Sequence, residues 1–463
     1  MSDLFRKAEK AEIKPKETAY SQFGFTRNPF PSKTSITIND NDDRNNGSIY
    51  LPDLRKKENG EFEKICIPNP NRGEANKIIS FLMDYATRRG RGIGKTAFLN
   101  YQRKRIIKDL GKELTGESEV LFAIYISPRP GDNYKKFSFI SKFIIEELID
   151  QDILSLAVCR MKAFSGQIDD SILDKVTNEN IQATIGSDQW LDKQHKEIGK
   201  SFDAFNLSQS IKSSMINENI DTELATALSR FGHDNDELKK FYFLAQKDFF
   251  WKKSSSKILF DDLVKVFRLA GFTKGLILFD ELEKIVPKLN SQDRREFCES
   301  LRYYFIDGTS ENTRDSFYQI LLTIHPYLQE LLVPHWEASG LQRFASLGGE
   351  LANNYTIYFE PLDEGNAIPL AIEYMDRSRV ECKNPGTSTM PFDNDALKEA
   401  LKKTLGVPGR YLNFLHSTIE KAIESKWTKI GKDEISKVEM PVNPSEKEVD
   451  ADDSPLAAPK IDL

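Results

Sequence analysis

Two short stretches carry residue types that do phosphate chemistry: RRGRGIGKTAFLN, Arg88 to Asn100, and GLILFDELEKI, Gly275 to Ile285. In the first, Gly94, Lys95 and Thr96 fill the end of the pattern G-x-x-x-x-G-K-[ST], and Arg89 stands at its first glycine position. Glycines in such a turn let backbone N–H groups point at phosphate oxygens, and the helix that follows adds its positive end. The lysine then reaches the outer phosphates, and the hydroxyl residue ligates Mg²⁺. Those tasks fall to Gly92, Gly94, Lys95 and Thr96, with Arg91, Ile93 and Ala97 completing the candidate binding segment. Arg89 begins the loop rather than wrapping a phosphate, so its presence matters less. In the second stretch an apolar strand delivers Asp280 and Glu281 at its C-terminal edge, where ligands bind in open α/β sheets. Asp280 suits a hydrated Mg²⁺, and Glu281 suits a general base that orients and deprotonates water. Each stretch alone has a plain structural explanation, a glycine-rich turn or a solvated acidic pair. Occurring together in an α/β pattern, they imply a nucleotide site.

The elements that must hold these residues follow from periodicity. Val120–Ser127, Gly275–Phe279 and Phe317–Ile324 are continuous apolar runs of strand length, suited to buried parallel strands. Helical stretches between them imply βαβ units and a three-layer α/β domain. Ile78 to Tyr85 has helical spacing and is expected to form an amphipathic helix before the glycine loop. A further helix is expected from Thr96. The interval between the first two runs is far longer than one crossover needs. Phe139–Ile149 and Ser255–Leu269 read as helices within it, and about 155–250 as a helical insertion. The expected layout is a flexible tail over 1–20, a core over 21–355, a helical lid over 356–430 and a disordered acidic tail over 431–463. Ser35–Ser48 is expected to be an exposed, turn-rich loop.

Composition narrows the class. At 463 residues, 39% hydrophobic and 29% charged, the chain suits two or three globular domains. No apolar run reaches the roughly 18 residues of a membrane span, and the charged N-terminus lacks a signal-peptide core. Four scattered cysteines and five scattered histidines give neither a zinc spacing nor a disulfide framework, which fits a cytoplasmic protein. The net charge of −6 gives no global attraction to nucleic acid. The local basic cluster, Arg88 to Lys108, reads better as a solvated helix face with phosphate-attracting residues than as a DNA groove.

The order of parts resembles an AAA+ P-loop ATPase of the branch that holds origin-recognition initiators, STAND-type ATPases and bacterial transposition regulators. Arg91 to Thr96 matches that branch's R-G-x-G-K-T, and FGFTRNPF, Phe23 to Phe30, is similar to the FG-x-x-x-x-PF opening of secretion and transposition ATPases. The resemblance implies a nearby adenine-side role for Arg72 and Glu74. It implies a γ-phosphate sensor at Thr323 or His325, an arginine finger at Arg343 and a second sensor in the lid at Arg410. It also implies ATP and Mg²⁺ as cofactors, a homo-oligomer and a protein effector. The stretch after the lid is too short for the winged helix of replication initiators, so no recognisable DNA-binding domain is expected, and the expected effector is a protein or DNA-bound. Bacterial transposition-regulator and phage-defence ATPases are the nearer likeness. The expected function is a hydrolysing assembly or regulatory switch. The alternative is a non-hydrolysing, nucleotide-dependent binding module, and a nucleic-acid translocase is a weaker third.

Overall fold

The computed structural model describes residues 18–34, 36, 40–68, 77–84, 92–129, 134, 136–230, 255–381 and 385–441. The chain divides into two compact units. The larger holds 55–90 and 98–359, and the smaller holds 1–54, 91–97 and the chain from Glu360 to Ser454.

The larger unit is built on five parallel strands: β1 (Ile79–Asp84), β2 (Leu121–Ile126), β3 (Lys274–Phe279), β4 (Tyr318–Ile324) and β5 (Thr356–Phe359). Their order across the sheet is β2-β3-β4-β1-β5. The three apolar runs became β2, β3 and β4. Ile78–Tyr85 did not become a helix: β1 occupies it, with every residue buried. Ile79, Phe81 and Met83 pack on one face with Ile320, Leu322 and Ile324 of β4, while Ser80, Leu82 and Asp84 take the other. A strand buried on both faces loses the polar alternation that would identify it. β5, only four residues long, begins just past the expected end of the core and pairs with β1.

Helices cover both faces, as in a three-layer α/β fold. On one face, Cys66 of the helix Lys56–Cys66 lies 3.4 Å from Ser80 of β1, and Phe98 meets Phe62 and Phe359 edge-on. On the other, Trp336 packs on Phe81 at 5.4 Å and donates its indole N–H to Ala345 O at 2.7 Å. Each such aromatic, taken fully out of water, contributes about 1.5–3 kcal/mol. Among the described residues, edge strand β2 is met by a side chain and not by a sixth strand. Gln151 accepts from Tyr125 N at 3.0 Å and donates to Tyr125 O at 2.5 Å, which satisfies main-chain groups an open edge would expose.

The described part of the 155–250 insertion is helical, including Ile153–Phe164, Asp188–Glu197, Ala204–Asn217 and Thr222–Ser229. Its apolar residues Val158, Leu191, Ile211 and Leu228 belong to the same continuous core as the sheet. The insertion is therefore an extension of the sheet's hydrophobic layer.

The smaller unit gathers the helices Glu364–Ser378, Asn394–Lys403, Pro408–Glu424 and Lys432–Ser436 around a second core. The last of these falls where the acidic tail was expected to be disordered, and Ile435 is buried there. The FGFTRNPF segment is part of this core: Phe25 and Phe30 are fully buried. Asn28 donates to Glu420 at 2.7 Å and to His416 O at 3.1 Å, which fixes the segment on Pro408–Glu424. The loop through Asp42, Asp43 and Arg44 is turn-rich as expected, but Asn45 is buried and Arg44 reaches back to Phe30 O at 3.3 Å.

Candidate functional site

The carboxyl ends of β1, β3 and β4 lie on one edge of the parallel sheet, and polar side chains collect there. Asp280 follows β3 and is only 3% exposed. Its Oδ1 accepts from Thr323 Oγ1 and from Glu281 N, each at 2.9 Å, and its Oδ2 accepts from Tyr125 Oη at 3.0 Å. Thr323 Oγ1 also accepts from Glu281 N at 2.9 Å. The donors come from both neighbouring strands, Tyr125 from β2 and Thr323 from β4, so the plane of the carboxylate is set from two sides. Three donors offset much of the cost of burying the charge. Burial, and then the negative charges of Asp280 and Glu281, push the Tyr125 phenol far above its usual range, which keeps it a donor.

Glu281 is the next residue and its situation differs. Its backbone is in the left-handed region, φ 53° and ψ 41°, which turns the side chain away from the strand direction. Its carboxylate accepts from Ser127 Oγ and pairs with Lys284 Nζ, and about a third of it remains exposed. A non-glycine residue held at positive φ is a strain found at functional turns.

His325, two residues past Thr323, is buried. Its Nδ1 accepts from Leu328 N at 3.2 Å and so caps the helix Pro326–Ala338. Arg343 ends a short helical turn, Leu341–Arg343, and is exposed with no hydrogen bond or ion pair from its side chain among the described residues. Beside it, Arg302 donates to Ser339 O at 2.7 Å and lies over the Phe344 ring.

The glycine loop belongs to the smaller unit. Gly92 and Gly94 have φ of 80° and 101°, conformations closed to side chains without strain. Ile93 between them is 1% exposed and anchors the turn. The helix Lys95–Asp109 starts directly after, with Lys95, Thr96 and Ala97 in its first turn, where backbone N–H groups lack helical partners. No acidic residue occupies that turn. Gly409 N donates to Gly92 O at 2.8 Å, and Arg410 is the next residue, in the first turn of Pro408–Glu424. A Cβ on Gly409 would stand 2.4 Å from Thr34 O and 3.1 Å from Gly92 Cα. That close backbone approach demands glycine there.

Two members of the basic cluster are structural. Arg105 pairs with Glu63 at 2.6 Å and Glu113 at 3.0 Å, and Arg103 donates to Gln151 at 2.8 Å. Arg72, Glu74, Arg88, Arg89 and Arg91 lie outside the described residues. Sequence reasoning missed Tyr125, Ser127 and Lys284. Tyr125 stood inside an apolar run, and its one signal was a hydroxyl on a strand otherwise without polar groups.

Other chemistries find little here. Cys66, Cys159 and Cys298 are buried free thiols, and burial pushes Cys66 and Cys298 up to about 12, where thiolate nucleophiles do not form at neutral pH. Among the described residues no group of three or more His, Cys, Asp or Glu is arranged to hold a metal. Among the described residues no helix is long and apolar enough to cross a membrane. No protein-family model matches the chain, and no curated protein matches it significantly.

Proposed function

We propose that the protein is an AAA+-like P-loop ATPase that binds ATP with Mg²⁺ and uses hydrolysis to switch its assembly state. The observation that carries this reading is the triply bonded Asp280 at the end of β3, with Glu281 directly after it and Thr323 beside it. β1, the strand that precedes the glycine loop in the sequence, ends on that same sheet edge, two strands over from β3. The glycine loop's conformation supplies the second support.

The residues suit the groups. Mg²⁺ takes hard oxygen ligands and is usually held by one or two carboxylates together with substrate phosphates, and Asp280 is a preoriented carboxylate of that kind. Thr96 carries the hydroxyl that the motif assigns to the ion. Bound Mg²⁺ would neutralise charge developing on the transferred phosphoryl group. Lys95 would meet the outer phosphates, and Gly92, Ile93, Gly94 and Ala97 would offer backbone N–H groups. Glu281 would accept the proton of the attacking water. Thr323, through its bond to Asp280, would link the γ-phosphate to β4. Arg343, exposed and uncommitted, suits a finger supplied to a neighbouring copy. Arg410, next to the Gly409–Gly92 contact, suits a lid sensor. The effector on which the switch acts would be a protein, in the manner of bacterial defence or mobile-element ATPases.

A second reading, a nucleotide-dependent binding module that does not hydrolyse, is favoured by one observation. Glu281 is engaged by Ser127 and Lys284, and a base so occupied does not activate water.

Equilibrium binding of ATP in Mg²⁺, with light scattering of the same samples, tests the proposal. Wild type should bind and gain mass, and Lys95→Ala should bind at least about tenfold more weakly, having lost a charge-assisted phosphate contact. Absence of binding by wild type would refute the proposal.

A further inference from the structure

We infer that Tyr125 is a positioning residue for the Mg²⁺-holding carboxylate, acting through the orientation of Asp280; the inference rests on the nucleotide reading above. The geometry is specific. Tyr125 Oη donates to Asp280 Oδ2 at 3.0 Å, while Thr323 and Glu281 N take Oδ1. Remove the phenol oxygen and Oδ2 loses a donor that helps set the rotation of the carboxylate about its Cβ–Cγ bond.

The tyrosine is itself held for this task. Its backbone N–H and C=O are both bonded by the side-chain amide of Gln151, and Gln151 is bonded in turn by Arg103 and by Glu147. The strand therefore cannot slide at Tyr125 without breaking a side-chain network. Nor does every tyrosine hydroxyl on this sheet find a partner. Tyr318 of β4 is fully buried, and its Oη has no hydrogen-bond partner among the described residues. Tyr125 bonds one oxygen of one carboxylate at the sheet edge. Outer-shell donors of this kind orient metal ligands, and their loss typically weakens metal binding about 10–100-fold.

The test measures the affinity of fluorescent ribose-labelled ATP in excess Mg²⁺ and, separately, in EDTA, for wild type, Tyr125→Phe and Tyr318→Phe. Tyr125→Phe should reduce the Mg²⁺-dependent gain in affinity about tenfold or more while leaving the EDTA affinity unchanged. The unchanged EDTA affinity also reports an intact fold. Tyr318→Phe removes the same atom from the same sheet and should change neither value. If Tyr125→Phe keeps the wild-type ratio, or loses both affinities equally, the positioning role is overturned. If wild type binds no labelled ATP under either condition, the nucleotide reading fails and takes this inference with it.

Discussion

Two aspartates in the larger unit are almost equally hidden from water, Asp280 at 3% exposure and Asp262 at 4%. They are treated in opposite ways. Asp280 at the end of β3 has three donors from three residues. Asp262 lies in a single π-helical turn, Ile258–Asp262, and no described group donates a hydrogen bond to its side chain. Burial raises its carboxyl to about 6, against the lowering pull of Lys257 and Lys265 and with the help of Asp221 and Asp261. The contrast teaches that burial alone does not distinguish the two carboxyl groups. The set of donors around each does, and at Asp280 it fixes one orientation.

The comparison can be broken most severely at the ligand itself. On the proposed reading, Asp280→Asn keeps the shape but removes the charge that would hold Mg²⁺, and phosphate release should fall on the order of 10²–10³-fold, the scale of several kcal/mol of transition-state stabilisation. A steady-state assay checks this. Next, Thr323→Val should push Asp280 toward the condition of Asp262, leaving a buried oxygen without its hydroxyl donor. Loss of about 1–3 kcal/mol in urea unfolding at neutral pH is expected.

Asp262→Asn should do the reverse. A carboxyl whose folded pKa is raised contributes stability that is fully present below its unfolded value and is lost as pH rises through about 6. The variant should thus exceed wild type by on the order of 1 kcal/mol at pH 8. The margin should shrink as pH falls from 7 toward 4, which thermal melts across that range would show. Smallest of all is Lys284→Ala. The pair with Glu281 is more than a third exposed on the lysine side, and such pairs are worth little, so unfolding stability should move by less than about 0.5 kcal/mol.

The parts of the candidate site that were readable before the fold are the local ones. Gly92, Gly94, Lys95 and Thr96 fall within five successive positions, and Asp280 and Glu281 end an apolar run that could only be a strand or a buried helix turn. β1 was not readable, because ISFLMD is buried on both faces and its spacing fits a helix as well. β5 was hidden by length, four residues carrying too few alternations to register. Tyr125 and Gln151 were hidden for a different reason. Their partners lie 155 and 26 positions away, and only the pairing of β2 with β3 brings the tyrosine to Asp280. Thr323 and His325 looked equivalent in the sequence. The structure separates them, one bonded to Asp280 and the other capping a helix.

The most direct test of the central claim is phosphate release from ATP and Mg²⁺ by wild type, Lys95→Ala and Glu281→Gln, measured beside nucleotide binding. The account predicts wild-type turnover that both variants abolish, with Glu281→Gln still binding ATP and losing about 10²–10⁴-fold in rate, the usual contribution of a general base. Turnover that survives in Glu281→Gln, or a wild type that neither binds nor hydrolyses ATP, would contradict it.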